Sequence, residues 1–122
     1  MNHIQEITKA VGAHGLWKQR ITLAIKDGRS DTDPAHVEMD NQCDFGKWLY
    51  GLPSVDQNSE HFKRVKVLHA NFHKEAAKVL RLAITGQKAA AEKSLDLGGA
   101  YAKSSSDLTL AMMNWKKVFG TA

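Results

Sequence analysis

The chain has 122 residues, of which 43% are hydrophobic and 25% charged, which is enough to bury a core without cross-links and far from the composition of a disordered chain. A single cysteine, Cys43, excludes an intrachain disulfide, and no apolar run has the length needed to cross a bilayer. The net charge of +4 raises the question of nucleic acid. Lys63, Arg64, Lys66, Lys74, Lys78 and Arg81 are, however, interleaved with core positions and lack an aromatic platform, so they read as a solvated helix face and no nucleic-acid partner is expected.

From Asn2 to about Lys26, the three-and-four spacing of Ile4, Ile7, Val11, Ile21 and Ile25 predicts one face of a long helix. The start Met1-Asn2-His3-Ile4 has neither the basic nor the apolar region of a signal peptide, so a cytoplasmic location is expected. His14 falls on the apolar face, where a polar side chain is costly unless something satisfies it. A backbone carbonyl would do so; so would a metal ion. Gly12 and Gly15 flank it, which weakens the helix and would let a neighbour approach closely.

Gly28 and the cluster Ser30-Asp31-Thr32-Asp33-Pro34 end the first helix and begin a connection. Asp27, Asp31, Asp33, Glu38, Asp40 and Asp44 lie in or beside it, but their spacing does not match a calcium-binding EF-hand loop. They read as a solvated connection. In the run Cys43-Asp44-Phe45-Gly46-Lys47-Trp48-Leu49-Tyr50-Gly51, the residues Phe45, Trp48 and Leu49 are helix-spaced, and Gly51 with Pro53 stops the element after about two turns. Cys43 therefore sits at or near the start of a short amphipathic helix, where free N–H groups favour the thiolate that binds metal. The alternative is a small buried apolar residue.

A second long helix is predicted from about Asn58 to Ile84, capped by Ser59, with an apolar stripe through Phe62, Val65, Phe72, Ala76, Val79 and Ala83. His69 and His73 stand four apart on or beside that stripe, so both imidazoles can reach one metal ion. Alone, such a pair is a weak signal. A last helix runs from about Gln87 to Phe119, with Gly98-Gly99 marking a kink or a close helix crossing. The expected fold is all-α: one domain over residues 1–122, an antiparallel four-helix bundle of three long helices and one short helix carrying the cysteine.

His14 lies near the middle of the first helix and His69 and His73 near the middle of the third, so packing side by side brings the imidazoles to one level. Cys43 must descend about 20 Å from the end of the first helix, and a connection of about fifteen residues can span roughly 50 Å. A site of three histidines and one cysteine is geometrically open. His3, His36 and His61 are expected to be ordinary surface residues.

The set His14-x-x-Trp17-Lys18, Cys43-x-Phe45-Gly46-Lys47-Trp48-Leu49 and His69-x-x-x-His73 resembles the chemoreceptor zinc-binding domain family over essentially the whole chain. The resemblance implies a zinc-binding regulatory domain of bacterial signal transduction, of the kind attached to chemotaxis receptors or diguanylate cyclases. It implies sensing of zinc or of oxidants such as hypochlorous acid. It also implies His14, Cys43, His69 and His73 as ligands of one Zn2+ per chain, a homodimer, and a signalling output module or partner protein. Trp115 and Phe119, taken as exposed aromatics, are candidates for the dimer interface. Four protein ligands leave no place for water on zinc, so no enzyme is expected. The rival readings are a small metal-binding interaction bundle and a mononuclear zinc hydrolase, the latter lacking an HExxH glutamate.

Overall fold

The first helix begins where Asn2 caps it: Asn2 Oδ1 accepts from the Gln5 N–H at 2.8 Å, and Gln5 Oε1 accepts from the Asn2 N–H at 3.1 Å. This reciprocal pair satisfies two of the donors that every helix start leaves unpaired. A computed structural model describes residues 2–120 of the chain. Among them are eight helical segments, α1 (His3–Gly15), α2 (Trp17–Asp27), α3 (Pro34–Val37), α4 (Asp44–Tyr50), α5 (Ser54–Gln57), α6 (Glu60–Ile84), α7 (Lys88–Leu95) and α8 (Ala100–Gly120), and no strand. The fold is the all-helical bundle that the apolar spacing predicts.

The predicted first helix is present but interrupted at Leu16, directly after Gly15. The Gly12–Gly15 pair weakens the helix as expected, but it is not a close crossing: a Cβ at either position would meet nothing within 4 Å. The predicted last helix is broken more sharply. Gly98 has φ +88°, and a Cβ on Gly99 would overlap the backbone carbonyls at the end of α7, so the glycine pair lets α8 start against the last turn of its predecessor. Between Asp27 and Gln42, where a plain connection was expected, Asp33 and Pro34 start the single turn α3. Asp33 Oδ1 accepts from Ala35 N–H at 3.0 Å, and proline occupies the first helical position.

The helix directions follow from which ends meet. His3, at the start of α1, packs on Phe119, at the end of α8, and Phe62, in the first turn of α6, packs on Trp115. The α1–α2 rod and α6 therefore point the same way and α8 runs opposite. The segment from α3 to α5 brings the chain back down between them, giving an up-down-up-down bundle. Its core includes Ile7, Ile21, Leu49, Val65, Phe72, Leu80, Leu108, Met112 and Trp115, all fully or almost fully buried. Such burial contributes roughly 1.5–3 kcal/mol for each large side chain.

Two sequence expectations change here. Trp115 is only 1% exposed, and Phe119 is half-buried against the core, so neither is a free interface aromatic. Trp48 of α4 has taken that surface, with its ring 5.8 Å from Trp115. The exposed apolar residues of α8 are instead Leu110, Met113 and Val118. His3 is likewise not an ordinary surface residue. The returning chain sets its ring 5.3 Å from Trp48 and 4.7 Å from Phe119, with Nε2 3.4 Å from a carboxylate oxygen of Asp56. His36 is exposed and His61 half-buried. Lys63, Arg64, Lys66, Lys74, Lys78 and Arg81 are all exposed, as a solvated face requires. No helix is long and apolar enough to cross a membrane among the described residues.

Candidate metal centre

The buried polar side chains among the described residues are His14, His69, His73 and Ser104. Ser104 donates to its own helix at the Tyr101 carbonyl, 2.8 Å. The three histidines turn inward at one level of the bundle and meet each other. His69 Nε2 lies 3.2 Å from His14 Nε2 and 3.1 Å from His73 Nε2. Cys43 Sγ lies 3.5 Å from His69 Nε2 and 3.6 Å from His73 Nε2. All four donor atoms fall within 4.8 Å of one another.

These distances can be compared with a tetrahedral zinc site. With Zn–N of about 2.0–2.1 Å and Zn–S of about 2.3 Å, tetrahedral geometry puts nitrogens about 3.3 Å apart and nitrogen and sulfur about 3.6 Å apart. Four of the six donor separations follow that pattern within a few tenths of an ångström, with the longer two at sulfur, and all six lie within 4.8 Å. The donor set fits zinc.

The far side of each ring explains how the near side is aimed. His14 Nδ1 donates to the Ala10 carbonyl at 2.8 Å, and His73 Nδ1 donates to the Val37 carbonyl at 2.8 Å. Each bond places the proton on Nδ1 and turns the Nε2 lone pair inward, which is how metal-binding imidazoles are oriented. The two sequence readings of His14 are thus compatible in one ring: the Ala10 carbonyl satisfies Nδ1, and Nε2 is turned toward the other three side chains. His69 differs. Its Nδ1 is buried without a hydrogen-bond partner, and its ring is held by packing, with Phe45 5.2 Å away edge-to-face. Phe45 and Phe72 also flank His14, at 5.9 and 5.2 Å, so the centre has an apolar wall.

Burial sets the proton affinities. His14 is lowered to about 4, chiefly by burial, with His73 nearby adding to the effect against the Ala10 hydrogen bond. Burial also lowers His69 to about 2, with His73 and His14 contributing, and lowers His73 against the Val37 bond. All three are neutral at pH 7, the form that binds metal. Cys43 corrects the sequence expectation. It is the N-cap of α4 as predicted, and its sulfur accepts from the Gly46 N–H at 3.3 Å. Yet burial raises its pKa above the usual thiol value, outweighing the N–H groups of Gly46 and Phe45. In the metal-free chain the helix start does not hold a thiolate; a cation in the site is what favours one.

Cys43 is also the accessible corner. One surface cleft of about 410 Å³ reaches Cys43 and His14 past Leu16 and Phe45, and another of about 290 Å³ reaches Cys43 and His73 past Val37 and Gln42. Trp17 and Arg20, whose guanidinium lies 4.0 Å over the indole, line both. His69 lines neither. The four residues singled out in the sequence are brought together, but their supports carry little signal there. Phe72 was visible as a core position. The carbonyls of Ala10 and Val37 carry no side-chain signature at all.

The chain matches the model of the family described as the chemoreceptor zinc-binding domain over residues 14–80, more than half its length and a stretch that contains all four donors. No curated protein and no solved structure gives a significant match. That family is a regulatory zinc-binding one found in signalling proteins, and with the His14, Cys43, His69 and His73 group it supports one zinc ion per chain. The chain belongs to the chemoreceptor zinc-binding domain family.

Proposed function

We propose that His14, Cys43, His69 and His73 are the ligands of this zinc, and that the protein is a sensory domain whose output depends on zinc occupancy or on the oxidation state of Cys43. The observation that carries the reading is the set of donor separations, 3.1–3.2 Å between nitrogens and 3.5–3.6 Å to sulfur. Bound zinc supplies a positive charge that holds the sulfur as thiolate in a closed, four-ligand site. With no position left for water, the site is regulatory and not hydrolytic.

The chain's own residues divide the work. His69 and His73 hold one wall of the site from the middle of α6, and His14 holds the facing wall from α1. Cys43 is the half-buried donor on a short element, and it is the one reached from both clefts. Hypochlorous acid would transfer chlorine to the thiolate sulfur and release hydroxide, a two-electron oxidation, and water would then displace chloride to leave sulfenic acid and a proton. A sulfenic acid is a poorer ligand, so α4 would detach and its aromatic contacts at the base of the bundle would repack. The domain comprises residues 1–122, works in the cytoplasm, pairs with a second copy and passes its state to a signalling output module.

Metal analysis of purified protein tests the ligand set. It should give about one zinc per chain, largely lost in Cys43→Ala and in His73→Ala. Undiminished zinc in both variants, or iron in place of zinc, would refute the site. A zinc affinity far tighter than free cellular zinc would favour redox sensing, and weaker, exchangeable binding would favour zinc sensing.

A further inference from the structure

A glycine inside a seven-residue helix is unfavourable relative to alanine unless something requires it. Gly46 is buried as the third residue of α4, and what it meets is backbone. A Cβ there would overlap the carbonyl oxygen of Asp40 and come within 3.1 Å of the Asn41 Cα. Neither obstacle can rotate aside as a side chain would. Gly51, at the other end of the same helix, shows the contrast: its Cβ would meet only the Lys47 and Trp48 carbonyls, at 3.3 and 3.7 Å.

The segment that presses on Gly46 is the one that delivers Cys43. It is pinned to α6 at two points: the Val37 carbonyl accepts from His73 Nδ1 at 2.8 Å, and Glu38 pairs with Arg81 at 3.1 Å. It is pinned to α4 by the Tyr50 hydroxyl, which donates to Asp40 at 2.7 Å, one turn along from Gly46. After Asp40 the chain has only Asn41 and Gln42 left before Cys43. The Gly46 N–H then donates back to the Cys43 sulfur. The distance between this strap and α4 therefore fixes where the sulfur stands.

The structure assigns to Gly46 the positioning of the Cys43 sulfur in the metal centre: the missing side chain lets the strap at Asp40–Asn41 lie directly on α4. The inference rests on Cys43 being a zinc ligand, as proposed above. Clearing the overlap made by one methyl group needs a shift on the order of 1 Å, whereas a metal–ligand distance tolerates about 0.2 Å. The histidines stand on α1 and α6 and are not displaced. Gly46→Ala thus converts a four-donor site into a three-histidine one without removing any donor atom.

Cobalt(II) loaded in place of zinc into the full chain reads this directly, because thiolate-to-cobalt charge transfer absorbs in the near ultraviolet and imidazole ligation alone does not give that band. Wild type should show the charge-transfer band. Gly46→Ala should keep its helical circular dichroism and bind cobalt, lose most of that band, and bind zinc about 10- to 100-fold more weakly. Its Cys43 should react with a thiol reagent in the presence of zinc at least about tenfold faster. Gly51→Ala should match wild type in all three. A Gly46→Ala protein with the wild-type band and affinity overturns the assignment while leaving the zinc site intact. A variant unfolded with and without metal also overturns it, since the glycine would then serve the fold at large. If wild type itself lacks the band, Cys43 is not a ligand, and the site reading falls together with the assignment.

Discussion

The two halves of the metal centre are built differently. His69 and His73 stand in the middle of a 25-residue helix, 0% and 3% exposed, on an element capped by Ser59 and packed along its length. Cys43 caps a helix of seven residues, is half-buried, and hangs on a strap held by a few discrete contacts. A donor on a long packed helix is held by the whole core, whereas a donor on a short tethered one is held by its local pins and by the metal. Local opening concentrates where buried apolar contacts are few. On the proposed reading, the histidine half is the template and the cysteine half is the part that reports.

Acid offers the largest test of that division. In the metal-free protein the three histidines are lowered by burial, so below about pH 6.5 the unfolded chain takes up protons that the folded chain refuses. Stability is full above that pH and falls as the pH drops, by roughly 1 kcal/mol per pH unit from His14 down to about 4 and from His69 down to about 2, with His73 acting in the same direction. Cys43 has the opposite sign. Its raised pKa contributes stability below the usual thiol range and loses it as the pH rises past that range. Denaturant unfolding at several pH values between 7.5 and 4.5 should show the acid loss; a flat profile would break the picture of a buried neutral triad.

Side-chain deletion should separate the halves next. In metal-free protein, His73→Ala removes a buried ring and orphans the Val37 carbonyl, costing about 2–3 kcal/mol. Cys43→Ala removes one half-buried sulfur and should cost less than about 1 kcal/mol. Equal losses in urea unfolding would erase the distinction. Smaller still is the expected response to metal removal alone. Backbone exchange across residues 43–51 should quicken about tenfold on chelation, while α6 around His69 changes less than about twofold. Equal protection of the 43–51 segment in both states would remove it as the moving part.

The long elements were legible in the sequence for a simple reason. Apolar spacing over twenty-five residues, Ser59 at one end and Thr85-Gly86 at the other, all demand the same helix α6. That His14, Cys43, His69 and His73 would lie close together was legible because burial of three histidines is costly without a shared task, and because the connection to Cys43 is long enough to return to their level. What failed was local or environmental. Trp115 looked free at the end of a helix until Trp48 covered it, and His3 looked solvated until the same residue arrived. The Cys43 thiol looked activated by its helix start until burial outweighed two N–H groups.

By itself, then, the amino-acid sequence determined the all-helical class, the helix carrying His69 and His73, and which four side chains to look for at one level of the bundle. These depend on periodicity, capping and side-chain chemistry, which are written along the chain. Only the tertiary structure decided which ring nitrogen faces the centre, because that is set by the carbonyls of Ala10 and Val37. It alone made Cys43 the open corner and Gly46 the contact that positions it, because a backbone pressed against a missing side chain leaves no mark in a sequence beyond the glycine itself.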